Sequence, residues 1–480
     1  MLLITIYYFL ITTVSAISFA SENNRPIKPS EDDFYIPPPD FESAPVGKIV
    51  RKREVPHRLT NVFTPMKVQN AWHIMVRSED SFNEPNVIVA TIIKPFNANP
   101  NKLISYQPFE DSRNPDCAPS YAIQFGSNIN TLITQSEMVN VDVMLKQGYY
   151  VVIPDYQGPE GAYTAGRQAG YAVLNSLTAT LTTKKFTGIN HDADTILMGY
   201  SGGTIASGWA AMLQPEYAPH LKKNLIGAVL GAFTTNITSM VEIVDGTLFA
   251  GLIPNVLIGL SNQYPKLKKF YWERLNPDLA DKFFNKAQCF FDALIKWILT
   301  SFFKGKNTFF PGGISILREE PMRSILKSNN IVDQSKYLVP NIPIFIYHGS
   351  LDKVVPIKDS FKSFENWCSL GLKSGEFVED KSSGHSVLSL IGIAIARPWI
   401  IQRMNGKPPV NGCVHNKQLT TFGYPKTIAA FYKNSIDMLK AMTGFKLGPK
   451  YKSLENYDTS ELSNLKQFLQ ELDDNKYIST

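Results

Sequence analysis

The sequence predicts an α/β fold: a mostly parallel β-sheet with helices on both faces, interrupted by a helical insertion. Two observations predict it. From about residue 85, short apolar runs rich in Val and Ile alternate with longer helix-compatible stretches, as expected for buried parallel strands joined by crossover helices. The alternation then fails between Gly231 and Pro340, where no strand pattern is visible and apolar helix-like segments take over. The strand-like runs lie at 86–93, 103–107, 149–154, 195–198, 225–230, 342–347 and 375–379. Helix-like stretches lie at 164–182 and 203–212, and the insertion has helix-like segments with large apolar faces, including 283–303.

A chain of 480 residues, 44% apolar and 19% charged, is long enough for one large domain with an added subdomain. Its net charge of +6 (48 basic minus 42 acidic) is small for this length. With no long basic run, nucleic acid is not an expected partner. A mild positive charge could favour an anionic lipid surface, although plain solubility is the better account of it.

The chain begins with an apolar run from Leu2 to Val14, broken only by Thr5, Thr12 and Thr13 and followed by Ser15-Ala16. It is short for a membrane span, and small residues follow it, so residues 1–20 read as a signal peptide and no transmembrane anchor is expected. Residues 21–55 are polar and Pro-rich and read as extended, a possible propeptide ending at Arg51-Lys52-Arg53. The α/β core is expected at 56–234 and 336–450, the helical insertion at 235–335, and a polar tail at 451–480. The four cysteines, Cys117, Cys289, Cys368 and Cys413, form no CxxC pair. In an exported chain they imply two disulfides with three possible connectivities and no zinc site. One glycosylation sequon is present, at Asn236.

The chemistry-bearing motif is Gly199-Tyr200-Ser201-Gly202-Gly203, placed between the strand at 195–198 and an Ala-rich helical stretch. That context is a nucleophile elbow and narrows the fold class to the α/β-hydrolase fold. Small residues either side of the serine let strand and helix approach, and the helix N-terminus offers free N–H groups to a developing oxyanion. A serine needs a base. In this fold the chain order is serine, acid, histidine. His385, in the small-residue loop Ser382-Ser383-Gly384 after a strand, is the expected base; His348 and His415 are the alternatives. Asp352, in the turn after the strand at 342–347, is the expected acid, and Asp359 competes with it. The separation (385 − 352 = 33) leaves room for one helix and one strand. Gly202, directly after the serine, supplies one oxyanion donor. The second donor should come from the loop after 103–107, which reads Phe109-Glu110-Asp111-Ser112, and spacing does not choose among these residues.

Four stretches carry a family resemblance. They are Ser105 through Asp111 to Asp116-Cys117-Ala118-Pro119-Ser120-Tyr121; Gln147-Gly148-Tyr149-Tyr150-Val151-Val152; Gly199 to Gly203; and Pro321 with Ser324-Ile325-Leu326-Lys327. The chain resembles the secreted lipases of Candida yeasts, the Candida lipase A-like family, over roughly residues 55–445. The resemblance implies hydrolysis of triacylglycerols or related esters with no cofactor and no metal. It implies the triad Ser201, Asp352 and His385, and Asp111 as the second oxyanion donor. It also implies the pairs Cys117–Cys289 and Cys368–Cys413 and a helical cap over the site. Asp155-Tyr156-Gln157-Gly158 and the longer tail depart from the family pattern, which leaves chain-length preference open.

The expected partner is thus a lipid or ester substrate at a lipid–water interface, met by a secreted monomer. A carboxylesterase or acyltransferase would use the same triad, and a non-catalytic binding protein would need none of it. The insertion favours the lipase. Apolar blocks at 248–253 and 256–258, and bulky residues at 290–291, 297–299 and 302–303, predict a mobile cap with an inner face that binds acyl chains.

Overall fold

The computed structural model describes residues 25–61, 64–285, 288–442 and 445–449. The expected signal peptide and the tail at 451–480 lie outside the described residues. Ten strands form one sheet: β1 (Ile49–Glu54), β2 (Asn70–Glu79), β3 (Pro85–Lys94), β4 (Lys102–Gln107), β5 (Tyr150–Pro154), β6 (Asp194–Tyr200), β7 (Leu225–Gly231), β8 (Ile344–Gly349), β9 (Ser374–Asp380) and β10 (Gly412–Gln418). Their order is β1-β2-β3-β5-β4-β6-β7-β8-β9-β10. The first three are antiparallel, and every pairing from β5 through β10 is parallel. Parallel strands send all their carboxyl ends to one edge, so the loops after β4, β6, β8 and β9 meet there.

Helices α1 (Met138–Lys146), α2 (Gly166–Thr180) and α3 (Gly203–Tyr217) precede the insertion. Within it lie α4 (Ile237–Val244), α5 (Leu252–Gln263), α6 (Lys266–Trp272), α7 (Pro277–Phe284), α8 (Phe290–Trp297) and α9 (Met322–Asn329). After it come α10 (Ile357–Ser369), α11 (His385–Ile391), α12 (Ile393–Met404) and α13 (Thr427–Met442). Successive strand side chains alternate between faces. In β8, Ile344 and Ile346 join the core under α2, α3 and the insertion, while Phe345 and Tyr347 join the core under α1 and α12. This is the two-faced arrangement that continuous apolar strands predict. Among the described residues, the expected helix at 283–303 is instead the end of α7 and the eight-residue α8.

Residues 25–55 correct the expectation that they cannot bury surface. Phe34 packs with Met75, Val87 and Val89, and β1 adds an edge strand to β2. Arg53 grips the Asp32 carboxylate with both terminal nitrogens, at 3.0 and 2.6 Å, a geometry that fixes orientation as well as charge. Ser30 donates to Asp116, and the Tyr35 hydroxyl lies 2.6 Å from Ser120 Oγ.

No single described helix is long and apolar enough to cross a membrane; α11 and α12 together pass that test, but they are bent by 44°. Both implied disulfides are present, Cys117–Cys289 and Cys368–Cys413. The second closes a loop of 45 residues, worth about 4 kcal/mol in the chain-entropy account. Replacing both Cys368 and Cys413 by Ser is expected to lower unfolding free energy by about that amount in urea titrations. An unchanged midpoint would refute the account.

Candidate active site

Ser201 sits between β6 and α3 with φ of 48°, in the left-handed region that a serine rarely adopts. The turn is possible because its neighbours are small. A Cβ on Gly199 would come within 2.8 Å of the Gly203 backbone and of Ser207 Oγ, and one on Gly203 would collide with the Gln107 carbonyl. The Ser201 N–H is tied to the Gly231 carbonyl at 2.9 Å, which fixes the turn against β7.

His385 opens α11 just past β9. Its Nε2 lies 2.9 Å from Ser201 Oγ and its Nδ1 lies 2.7 Å from Asp352 Oδ2. Asp352 Oδ1 accepts the N–H groups of Val354 and Val355, both at 2.8 Å. Burial alone would raise the Asp352 carboxyl. The positive charge of His385 and hydrogen bonds from His348 and His385 outweigh it, and the group lies well below the usual carboxylate range. Asp352 therefore stays ionised, able to fix the imidazole tautomer and to stabilise an imidazolium.

The competing residues fall elsewhere. Asp359 lies in the first turn of α10, with no bond to His385 and with a buried Oδ2 that has no partner among the described residues. His415, on β10, pairs with Glu379 at 2.9 Å. His348 is fully buried at the end of β8, with Nε2 3.1 Å from the Val355 carbonyl and 3.4 Å from Asp352 Oδ2. It braces the acid loop. Asn236, the sequon residue, is half-buried and caps α4 by accepting the Ser239 N–H at 3.2 Å.

Asp111 also has a left-handed backbone, with φ of 46°. Its carboxyl lies over Gly202 where a Cβ would stand. Gly202 is the residue before α3, so its N–H belongs to the open end of that helix. The loop carrying Asp111 is clamped to the insertion at several points. Asn255 of α5 donates to the Asp111 carbonyl at 2.7 Å, Ser112 Oγ donates to the Gln288 carbonyl at 3.1 Å, and Arg113 donates to the Asn285 carbonyl at 2.8 Å. Cys117–Cys289 adds a covalent tie.

Several residues that hold the site escape the motif argument. Asp380, at the end of β9, accepts the N–H groups of Ser382 and Ser383 at 2.8 and 3.0 Å and so shapes the loop that presents His385. Tyr200 donates to the His385 carbonyl at 2.7 Å. Phe249 sets its ring edge-on to the imidazole, with centroids 6.4 Å apart. Tyr200 lies inside the elbow motif, and Asp380 two residues before two serines is an Asx-turn pattern that could have been read. Phe249 had no signal beyond its apolar block. Much of that block packs: Leu252 is 2% exposed, Gly251 abuts Ala293, and Gly259 abuts Tyr163. Ile298 and Leu299, expected on an inner face, are exposed.

A group of buried carboxyls underlies the Asp111 loop. Burial pushes Asp111 and Asp155 up to about 7, Glu137 up to about 8, and Glu110 well above its ordinary value. Asp111 Oδ1 and Glu110 Oε2 have no partner among the described residues. In the folded chain these groups hold protons that the unfolded chain releases near pH 4. Stability is therefore full in mild acid and is lost as pH rises from about 4 through about 7 to 8. Asp352 carries the opposite sign, at pH below the usual carboxylate range. The thermal midpoint is expected to be higher at pH 5 than at pH 8 at constant ionic strength; the reverse order would refute the assignment.

Comparison with known proteins identifies the family. The secretory lipase family model matches residues 123–412. Lipase 5 of Candida albicans is 48% identical over 418 residues, covering 86% of this chain and 90% of that one. Lipase 1 of the same yeast is 44% identical over 442 residues, covering 92% and 94%. The X-ray structure of Candida antarctica lipase A in its closed state superposes with a TM-score of 0.75 at 25% identity, covering 88% of this chain and 99% of that one. With more than half its length matched by the family model and close relatives along most of it, the chain belongs to the secretory lipase family and has the α/β-hydrolase fold.

Proposed function

We propose that this chain is a secreted triacylglycerol lipase working through an acyl-enzyme on Ser201. The observation that carries the proposal is the unbroken chain of contacts from Ser201 Oγ through His385 to Asp352, at 2.9 and 2.7 Å. Ser201 Oγ attacks the ester carbonyl carbon as its proton passes to His385 Nε2. The carbonyl oxygen becomes an oxyanion facing the N–H groups of Gly202 and Asp111. The C–O bond to the alcohol then breaks, and the imidazolium returns its proton to the departing oxygen. Water, deprotonated by His385, attacks the acyl-enzyme, and the fatty acid leaves with Ser201 restored. Every atom and charge is supplied by substrate, water and these side chains.

Secretion is supported by the leader-like run at residues 1–20, by the two disulfides and by the family itself. The insertion supports a lipid rather than a small soluble ester, because it sets Phe249 against His385 and places apolar residues beside the site.

Ser201→Ala and His385→Ala are each expected to lower kcat by about three orders of magnitude or more, with circular dichroism unchanged. Asp352→Asn should be far more damaging than Asp359→Asn. Full activity in the serine variant, or a worse loss at Asp359, would overturn the assignment. The substrate class is tested by following hydrolysis of one ester across its solubility limit. A rate that climbs sharply once droplets form supports the lipase. A curve already saturated in solution would identify a carboxylesterase, and ester formation outpacing hydrolysis in the presence of alcohol an acyltransferase.

A further inference from the structure

The turn that ends α8 holds an exposed leucine in a backbone conformation that leucine avoids. Leu299 has φ of 56° and is 65% exposed. Bulky residues seldom occupy that region unless the surroundings hold them there. Here the surroundings do. The Leu299 N–H donates to the Thr247 carbonyl at 2.9 Å, the Gly246 N–H to the Thr300 carbonyl at 3.1 Å, and the Thr300 N–H to the Trp297 carbonyl at 3.0 Å. Trp297 points inward and is buried, anchoring the turn, while Ile295 and Ile298 point outward at 61% and 52% exposure. Three large aliphatic side chains within five residues, on one tip, exceed the scattered surface apolars of an ordinary chain.

Two further facts say what covers this tip. It is continuous with the proposed active site: the backbone bonds place Leu299 beside Thr247, the next residue, Leu248, is itself exposed, and Phe249 touches the His385 ring. It also carries an excess of positive charge: residues 292–318 contain Lys296, Lys304, Lys306 and Arg318 against one acidic residue, Asp292, and the neighbouring Asp245 is held by Ser301 and the Phe302 N–H. Arg318 is paired with Glu242, which leaves Lys296 beside Ile295, with its amine 4.8 Å from the Trp297 ring centroid, and the exposed Lys304 and Lys306 in the segment after the tip. Exposed aliphatic side chains that can enter an acyl layer, with lysines in the same segment, describe a surface for an anionic lipid–water interface.

We infer that Ile295, Ile298 and Leu299, with Lys296, Lys304 and Lys306, form a docking face for lipid surfaces carrying ionised fatty acid, the product of the proposed reaction. The inference rests on the lipase reading of Ser201 and adds a partner to it. An interface that has begun to be hydrolysed would retain the protein better than a fresh one, and would present the Leu248–Phe249 side of the site to lipid.

The test uses the full mature protein and two multiple variants. Ile298→Asp with Leu299→Asp removes the aliphatic tip, and aspartate tolerates the left-handed backbone better than leucine, so folding is spared. Lys296→Gln, Lys304→Gln and Lys306→Gln together remove the charge. Cosedimentation is measured with phosphatidylcholine vesicles, with and without oleic acid, at pH 8 and at two salt concentrations. Hydrolysis of a dissolved short-chain ester is measured alongside.

The wild type should bind oleate-containing vesicles more tightly than plain ones, by about fivefold per lysine, and lose that margin in salt. The Asp variant should lose binding to both vesicles by about tenfold or more, with dissolved-ester hydrolysis unchanged. The Gln variant should keep binding to plain vesicles and lose the preference for oleate. Equal binding by the wild type to both vesicles, or undiminished binding by the Asp variant, would overturn the inference. A wild-type dimer that the Asp variant converts to monomer would assign the face to a second copy of the chain and overturn it too. Failure of the wild type to cleave the dissolved ester would instead sink the lipase reading itself.

Discussion

Ser201 meets His385 because its own backbone is held in a left-handed turn, and much of the site is arranged around keeping it there. The φ of 48° is costly for a serine, of order 1–3 kcal/mol. It persists because β6 enters the turn, α3 leaves it, and Gly199 and Gly203 let the two meet without side-chain collision. The bond from Ser201 N–H to the Gly231 carbonyl fixes the turn to the neighbouring strand. Once the turn is fixed, the hydroxyl stands at the carboxyl edge of the sheet, and the loops after β8 and β9 need only reach that edge. They are joined to each other there by Ser350 N–H to the Asp380 carbonyl at 2.7 Å and Leu351 N–H to the Ser383 carbonyl at 3.1 Å.

The same logic limits how the insertion can move. Asn255, Gln288, Asn285 and Cys289 all bind the loop of Asp111. A swing of the whole insertion would drag the proposed oxyanion donor away from Gly202 and dismantle the site it is supposed to uncover. Any opening must therefore be local, at parts such as the turn of residues 246–249 and 298–300 that do not grip this loop. The insertion expected at 235–335 is thus tied to the Asp111 loop at these points and carries an outward-facing tip at Ile295, Ile298 and Leu299.

What was legible in the sequence follows from burial. Strands β3 to β8 lie inside the sheet and are mostly apolar, so their runs were visible, whereas β9 carries Glu376, Glu379 and Asp380 around Phe377 and Val378; the elbow glycines were required by contact distances. β1 and β10 are the two edges, half-exposed, the first rich in charge and the second polar, and left no apolar run to read. β2 was missed for another reason: His73, Arg77 and Ser78 are fully or almost fully buried polar residues that interrupt its pattern. At the site, Ser201, Asp352 and His385 could be named from order and loop context. Asp380 was legible only as a local turn before two serines, and Asn255 was not legible at all, because it acts on a backbone carbonyl far away in sequence. The exposed tip at Ile298 and Leu299 looked like core, since composition cannot tell which way a side chain points.

The N-terminal segment has a consequence for how proteolysis would act on this protein. Arg51, Lys52 and Arg53 are rungs of the β1–β2 ladder, facing Met75, Ile74 and His73, and Arg53 holds Asp32 from the same segment. A cut after Arg53 would sever one peptide bond without freeing the piece before it. Phe34 would stay seated on β2 and β3, and Ser30 on Asp116. The product would be a two-fragment complex held by a strand, a ring and a hydrogen bond, and the small fragment would come away only when the edge of the sheet itself melted.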